Sequence, residues 1–188
     1  NTTPTLSVVM SVYNAGDYLR KAVDSILNQT WKDFEFIIIE DASTDQSLQV
    51  LEEYAQKDVR VILIKKDQNN GAKGFIENLN IGLEKAKGKY VARMDADDIA
   101  MPNRFERQIA ALENDPDLFV IGSSLEMIDE NDKMIRPLPA IPDDASIKAA
   151  MFKNIALYHP AIMFRNENVR NREKMISCED YDLFFRWM

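Results

Sequence analysis

Four short apolar runs, each separated from the next by an amphipathic stretch, constrain this chain more than any other feature. Leu6–Val12, Phe34–Ile39, Val59–Ile64 and Gly88–Ala92 are rich in β-branched and aromatic residues. The second is almost continuously apolar, as suits a parallel strand covered on both faces. Between the runs, apolar residues recur at helical spacing. Leu19, Ala22, Val23, Ile26 and Leu27 form one such face, and Phe75, Ile76, Leu79, Leu83 and Ala86 form another that ends at Gly88. Ser43 with Gln46 reads as a capping box that starts a helix near Thr44 and runs to Gln56. Pro102 reads as the start of a helix to Glu113, with Phe105, Ile109 and Leu112 on one face. Such alternation predicts an α/β fold, with a mostly parallel central sheet and helices on both faces.

Beyond this frame the pattern changes. Leu118–Met127 reads as one further strand, and Asp129-Glu130-Asn131-Asp132 as a hairpin turn. Arg136–Pro142 is too proline-rich for a helix or a central strand and is expected to be an ordered crossing loop. A short helix from Asp144 to Phe152, a strand over Ala161–Arg165 and a last helix from Glu179 follow. The expectation is one domain over 1–188. Residues 1–128 would form the regular half, and 129–188 a smaller, irregular half.

Net charge is −8, with 23 Lys and Arg against 31 Asp and Glu, which argues against nucleic-acid binding through a basic surface. With Cys178 the only cysteine, no intrachain disulfide forms, and a reducing, cytoplasmic setting is the simpler expectation. No apolar run of about 18 residues is present to span a bilayer. The chain opens at Asn1 and stops at Met188 inside an expected helix. The expectation is therefore a longer protein, with a tail that reaches an acceptor or a membrane.

The chemistry concentrates at strand ends. Asp95, Asp97 and Asp98 follow the fourth run, where ligands of open α/β sheets bind. Ionised together they repel, and a hard divalent cation is their natural partner. Alone, such a cluster reads equally as an acidic turn that caps the next helix. Glu40-Asp41 ends the second run and Glu179-Asp180 opens the last helix. Asp41 stands where a carboxylate accepts hydrogen bonds from a nucleobase or ribose, or simply caps a helix. Glu179-Asp180 taken alone is as readily a helix-start charge.

Together these stretches resemble an inverting family-two glycosyltransferase with the GT-A nucleotide-sugar-binding fold. Ser7–Asn14 resembles its opening strand, and Glu40-Asp41-Ala42-Ser43-Thr44-Asp45 its acidic turn. Asn80-Ile81-Gly82 and Gly88-Lys89-Tyr90 resemble the approach to the Asp-x-Asp site, which Asp95-Ala96-Asp97-Asp98 matches. Glu179–Leu183 resembles the segment carrying the catalytic base. The resemblance implies a donor that is a nucleoside-diphosphate sugar, most often UDP-linked. Tyr13 and Asp41 would line the base pocket, and Asp95 would contact the ribose or diphosphate. Asp97 would bind Mn²⁺ or Mg²⁺ with Asp98 beside it, and Asp180 would be the general base. The acceptor would be a saccharide or lipid-linked saccharide in surface polysaccharide synthesis, reached at the cytoplasmic face of a membrane through segments beyond this chain.

Departures from the family pattern are visible. Ser11 replaces a usual proline. Ala42 replaces a usual glycine, which predicts a turn without a left-handed residue. The Gly71–Asn80 segment is about three residues longer, roughly one helical turn, which leaves open which residue near Lys73 faces the nucleotide. His159, the one histidine, reads first as structural and second as a substrate contact. Cys178 has no activating cation beside it and reads as packing, as do Phe184, Phe185 and Trp187.

Three other readings compete with this one. A nucleotidyltransferase would want a glycine-rich basic loop after the first strand, and Tyr13-Asn14-Ala15-Gly16 is not one. A phospho-accepting signalling domain would need an acidic pair there, and Ser11–Asn14 has none. An inactive sugar-nucleotide-binding module is disfavoured by retention of the acidic triplet and Asp180.

Overall fold

The structure is a computed structural model and describes residues 3–167 and 169–188. In chain order its elements are β1 Leu6–Val12, α1 Tyr18–Leu27, β2 Phe34–Glu40, α2 Ser47–Lys57, β3 Val61–Lys65, α3 Gly71–Lys85 and β4 Tyr90–Met94. Then come α4 Arg104–Asn114, β5 Val120–Ile121, β6 Leu125–Ile128, β7 Met134–Leu138, α5 Asp144–Met151, a 3₁₀ turn His159–Ala161, β8 Met163–Arg165 and α6 Glu179–Trp187. Six strands form the central sheet in the order β3-β2-β1-β4-β8-β5. The first four are parallel; β8 runs antiparallel to both β4 and β5. The mostly parallel α/β expectation holds.

Alternation within the strands divides the interior in two. Val8, Met10 and Val12 of β1 and Phe34, Phe36 and Ile38 of β2 pack on one side, against Leu19, Val23 and Ile26 of α1 and Phe105 and Ile109 of α4. Val9, Ile37, Ile39 and Val91 face the other side with Phe164, Leu183 and Phe184. The predicted α1 stripe is real: Leu19, Ala22, Val23 and Ile26 have no exposed surface. Burying a side chain such as Ile26 contributes about 2–3 kcal/mol. Helix α3 lies so close to β1 that a Cβ on Gly82 would stand 2.3 Å from Val9 Cγ1. A Cβ on Gly88 would stand 2.5 Å from the Ser7 backbone nitrogen. The two glycines of the approach motif are there for space.

Several local expectations are corrected. Helix α2 starts at Ser47, and the Asp45 carboxylate accepts from Ser47 N at 2.8 Å. Ser43 Oγ is instead taken by Asn14 N at 3.1 Å, so no capping box forms. Ala42 has φ 56°, the left-handed conformation that its missing glycine was expected to exclude. The turn is held there because Glu40 Oε1 accepts from Ser43 N at 2.7 Å while Asn14 Oδ1 accepts from Thr44 N at 2.8 Å. Val59 is 99% exposed and lies outside β3. Helix α3 stops at Lys85 rather than Gly88, with Ala86 already extended, and Phe75 and Leu83 are only half-buried. Pro102 sits in the turn before α4, where its carbonyl accepts from Thr30 N at 2.8 Å.

The run Leu118–Met127 is not one strand. Gly122-Ser123-Ser124 breaks it, giving β5 to the central sheet and β6 to a separate ribbon with β7. Pro137 lies within β7, and the crossing loop is partly strand. A two-stranded ribbon has outer edges where a proline leaves no ladder bond unmade. The hairpin turn at Asp129–Asp132 forms as expected, with Asp129 Oδ1 accepting from Asn131 N and Lys133 N, each at 2.9 Å. Among the described residues no helix is long and apolar enough to cross a membrane.

Candidate active site

Strand order grows from β1 outward through β2 and β3, then the chain returns to pair β4 on the other side of β1. The reversal opens a crevice at the carboxyl ends of β1 and β4, the place where ligands of such sheets bind. Tyr13 follows β1 there and is 49% exposed. Asp41 follows β2 on the same edge, and Asp95, Asp97 and Asp98 follow β4.

The acidic turn after β2 is a crosslink as much as a binding loop. Glu40 is buried and turned inward to hold Ser43 N. Asp45 accepts from Gly16 N at 3.0 Å and from Ser47 N, which ties the loop after β1 to the start of α2. Partial burial opposes its charge, but the bonds from Ser47 and Gly16 win and hold the Asp45 carboxyl below the usual range. Asp41 is 2% exposed. Its Oδ2 accepts from Asn69 Nδ2 at 2.7 Å, and its Oδ1 lies 2.7 Å from Lys66 Nζ.

The cluster after β4 is built on two buried arginines that sequence reasoning passed over. Arg93 Nη2 donates to Asp95 Oδ1 at 2.5 Å, and its guanidinium stacks 5.4 Å from the centre of the Phe75 ring. Arg104, on the first turn of α4, donates to Arg93 O at 2.8 Å and Ile162 O at 3.1 Å. Burial lowers Arg104 to about 10, with the Asp98 charge opposing that shift, and it stays cationic at neutral pH. Asp97 is exposed. Asp98 is pushed up to about 6 by burial, then by the charges of Asp95 and Asp97, with Arg93 and Arg104 opposing. Burial and the repulsion of its two neighbours together therefore outweigh the countercharge that Arg93 and Arg104 supply to Asp98.

Three clustered carboxylates, one of them partly buried against its own charge, make an all-oxygen donor set that fits a hard divalent cation. Among the described residues, no three His, Cys, Asp or Glu side chains are already gathered as metal ligands. Asp97 and Asp98 would close on such an ion rather than await it in a finished cage.

Helix α6 brings the last carboxylates. Its charged first turn contains Glu179, Asp180 and Asp182. Glu179 is raised by burial and by the charges of Asp180 and Asp95, with Arg93 opposing. The start of α6 is thus electrostatically joined to the β4 turn, 81 positions and more away in sequence. Asp180 is half-buried, and its Oδ1 accepts from Tyr181 N at 2.7 Å. Asp182 is buried and turned away, held by Arg186 Nε at 3.0 Å and Arg172 Nη1 at 3.3 Å. Asn80 explains part of the approach motif. Asn80 Nδ2 donates to Asn171 O at 3.0 Å and Asn171 N donates back to Asn80 Oδ1 at 2.8 Å, pinning the segment that leads into α6.

His159 packs edge-on against Phe184 at 5.8 Å, and burial and then Arg93 hold its pKa well below the usual range. It is a neutral packing residue in this structure. Cys178 occupies the residue before α6. Phe184 is core, and Trp187 packs partly buried against the core, 5.3 Å from Phe119 and 5.1 Å from Phe164. Phe185 is not core: it is 45% exposed and stacks on Tyr181 at 6.0 Å, because α6 turns that position outward. Lys73 is exposed and pairs with Glu77 at 3.5 Å, one turn along α3.

Fold and site define the class: a doubly wound α/β protein whose ligand edge carries carboxylates from β2, β4 and α6. The Glycosyl transferase family 2 model matches residues 7–181, and the chain belongs to that family. An uncharacterized glycosyltransferase of Methanocaldococcus jannaschii is 38% identical over 189 residues, spanning 97% of this chain and 64% of that protein. The O-antigen biosynthesis glycosyltransferase WbnJ of Escherichia coli is 34% identical over 96% of this chain and 70% of its own length. The crystal structure of S. aureus TarS 1-349 in complex with UDP matches with a TM-score of 0.71. It covers 94% of this chain and 53% of that one at 21% identity, a likeness of fold.

Proposed function

We propose that this chain is the catalytic domain of an inverting, metal-dependent glycosyltransferase, with residues 129–188 on its acceptor side. It would move a sugar from a nucleoside-diphosphate sugar, UDP-linked, to a hydroxyl of a saccharide or lipid-linked acceptor in surface polysaccharide synthesis. One observation carries the reading. The acidic turns of β2 and β4 share a sheet edge, and Glu179 at the start of α6 feels the charges of Asp95 and Arg93. The family, the name of the E. coli relative and the UDP held by the TarS structure support it.

In this reading Asp41 receives the base and the exposed Tyr13 ring lines its pocket. Asp95, oriented by Arg93, faces the ribose or diphosphate. Asp97 and Asp98 would hold Mn²⁺ or Mg²⁺, which supplies positive charge to the diphosphate as it leaves. Asp180 takes the proton from the acceptor hydroxyl. The hydroxyl oxygen then bonds to the anomeric carbon from the face opposite the diphosphate. The bond from that carbon to the diphosphate oxygen breaks, its electron pair leaves with the nucleotide, and the configuration inverts.

A second reading makes Glu179 the base. Burial and then the neighbouring carboxylates raise its proton affinity, the direction that strengthens a carboxylate as a base.

Calorimetric titration with UDP and GDP, each with Mn²⁺ or with chelator, tests the donor site. UDP binding that needs Mn²⁺ and falls at least ~10-fold in Asp97→Ala is the expected result. A folded protein that binds neither nucleotide refutes the proposal. For the base, Asp180→Asn is expected to slow sugar transfer, read as UDP formed from the donor, by ~100-fold or more with UDP affinity unchanged. Near-normal turnover in Asp180→Asn beside a collapsed Glu179→Gln transfers the role to Glu179.

A further inference from the structure

On the side of the sheet that carries Val9 and Val91, the interior holds a cavity of about 20 Å³. Residues of α3, β4, β8 and α6 close it, and most of its wall is apolar, Val91 and Phe164 included. Three polar residues interrupt that wall: Arg93, His159 and Asn171. They come from β4, from the 3₁₀ turn before β8 and from the segment that leads into α6.

Two of the three carry an unspent polar atom. Arg93 is 4% exposed. Its Nη2 is given to Asp95 and its Nη1 to the carbonyl of Met94, while Nε has no hydrogen-bond partner among the described residues. Asn171 is 6% exposed. Its backbone N–H and carbonyl are both taken by the Asn80 side chain, and its Oδ1 has no partner among the described residues. A buried donor and a buried acceptor in this condition are each costly, most of all the donor on a charged guanidinium. His159 is the third residue. Burial, and then the charge of Arg93, keep its ring neutral, so one ring nitrogen is an acceptor.

Space and chemistry fit one small ligand. A buried water needs roughly 10–15 Å³ of such space and a few polar partners. A cation would face the Arg93 guanidinium and an anion the Asn171 side-chain oxygen, whereas water serves a donor and an acceptor at once. We propose that the cavity is the site of one ordered water, which accepts from Arg93 Nε and donates to Asn171 Oδ1 and to a ring nitrogen of His159. Both water protons and one lone pair are then used. Arg93 orients Asp95, and Asn171 belongs to the segment pinned by Asn80 ahead of α6. The water therefore ties the β4 turn to the approach to α6 through the interior, and it gives His159 a task beyond packing. The site stands whatever ligand the sheet edge binds, so it is independent of the donor-site reading.

A high-resolution crystal structure of the wild type and hydrogen exchange of two variants test the proposal. The crystal is expected to show one ordered water within about 3.2 Å of Arg93 Nε, Asn171 Oδ1 and a His159 ring nitrogen. A dry cavity, or a water that misses any of the three, overturns the site. Asn171→Leu removes one acceptor at nearly constant volume and keeps the backbone bonds to Asn80. His159→Phe removes the other and keeps an aromatic ring against Phe184. Thermal melts confirm that each variant is folded; where one is not, the wild-type water decides. Amide exchange over residues 93–98 is expected to quicken at least ~10-fold in Asn171→Leu and by less in His159→Phe, with β2 unchanged. Unchanged exchange over that stretch in Asn171→Leu overturns the tie. So does an equal rise along the whole chain, which a general loss of stability would give.

Discussion

The carboxyl edge of the sheet and the stretch from Gly122 to Tyr158 follow opposite building rules. At the edge, polar side chains are buried and heavily bonded. Glu40, Asp41, Arg93 and Arg104 are each under 10% exposed and tied to a neighbouring strand, loop or helix. In the later stretch the ribbon β6–β7 leaves apolar side chains in solvent, with Met134 at 54% and Ile135 at 60% exposure. The contrast separates stability from recognition. The buried polar residues of that edge are also load carriers for the fold, so substitutions there act on folding as well as on whatever the edge binds. The ribbon can change with little cost to the sheet.

The largest expected effect sharpens that contrast directly. Ile38 is fully buried in β2, and Ile38→Ala is expected to cost about 3–4 kcal/mol. Ile135→Ala in the ribbon should cost under about 0.5 kcal/mol. Urea denaturation reads both, and comparable losses would show that the ribbon is as integral as the sheet. Next comes Gly82→Ala, whose Cβ collides with Val9 and is expected to cost about 2–3 kcal/mol. A silent Gly82→Ala would mean that α3 can withdraw from β1 freely.

Asp98 tests the edge from the electrostatic side. Its folded-state pKa, about 6, lies above that of the unfolded chain, near 4. As pH rises between these values the unfolded state loses its proton first, so this group removes stability over that window and the deficit persists above it. In chelator at pH 7, Asp98→Asn should be more stable than wild type by about 1–2 kcal/mol after solvent screening, with the gain vanishing below about pH 4. Thermal melts across pH measure it; a variant less stable at every pH breaks the account of crowded charge. The smallest effect is Ala42→Gly. Relieving a left-handed alanine should add about 1 kcal/mol, read by the same melts. A loss instead would show that the bonds from Glu40 and Asn14 already compensate the strain.

What the sequence disclosed follows the same division. β1, β2 and β4 were legible because they are buried on both faces, and near-continuous apolar runs have few other uses. That Asp41 and the Asp95–Asp98 cluster lie on one edge was legible because both follow parallel strands; Glu179-Asp180, at a helix start, falls outside that rule. Arg93 and Arg104 were not legible, because an arginine in a strand or in the first turn of a helix ordinarily faces solvent. Their burial depends on Asp95, Asp98 and the carbonyls of Arg93 and Ile162. The break at Gly122-Ser123-Ser124 was missed because apolar residues flank it on both sides at strand spacing. The α2 start was missed because Ser43, a good capping residue, is spent on a neighbouring loop. The left-handed Ala42 breaks a local rule to satisfy contacts that are long-range.

The placement of β8 has a kinetic consequence. It is inserted between β4 and β5, pairing Tyr90 with Arg165 and Val91 with Phe164. During synthesis the first four strands are complete while this partner is still untranslated, so β4 waits with one edge unpaired. Unpaired edges are templates for association with other chains, and pairings between residues distant in sequence form slowly. The nascent chain is therefore most exposed to misassembly on the flank of the sheet that holds Asp95, between the emergence of Met94 and that of Arg165.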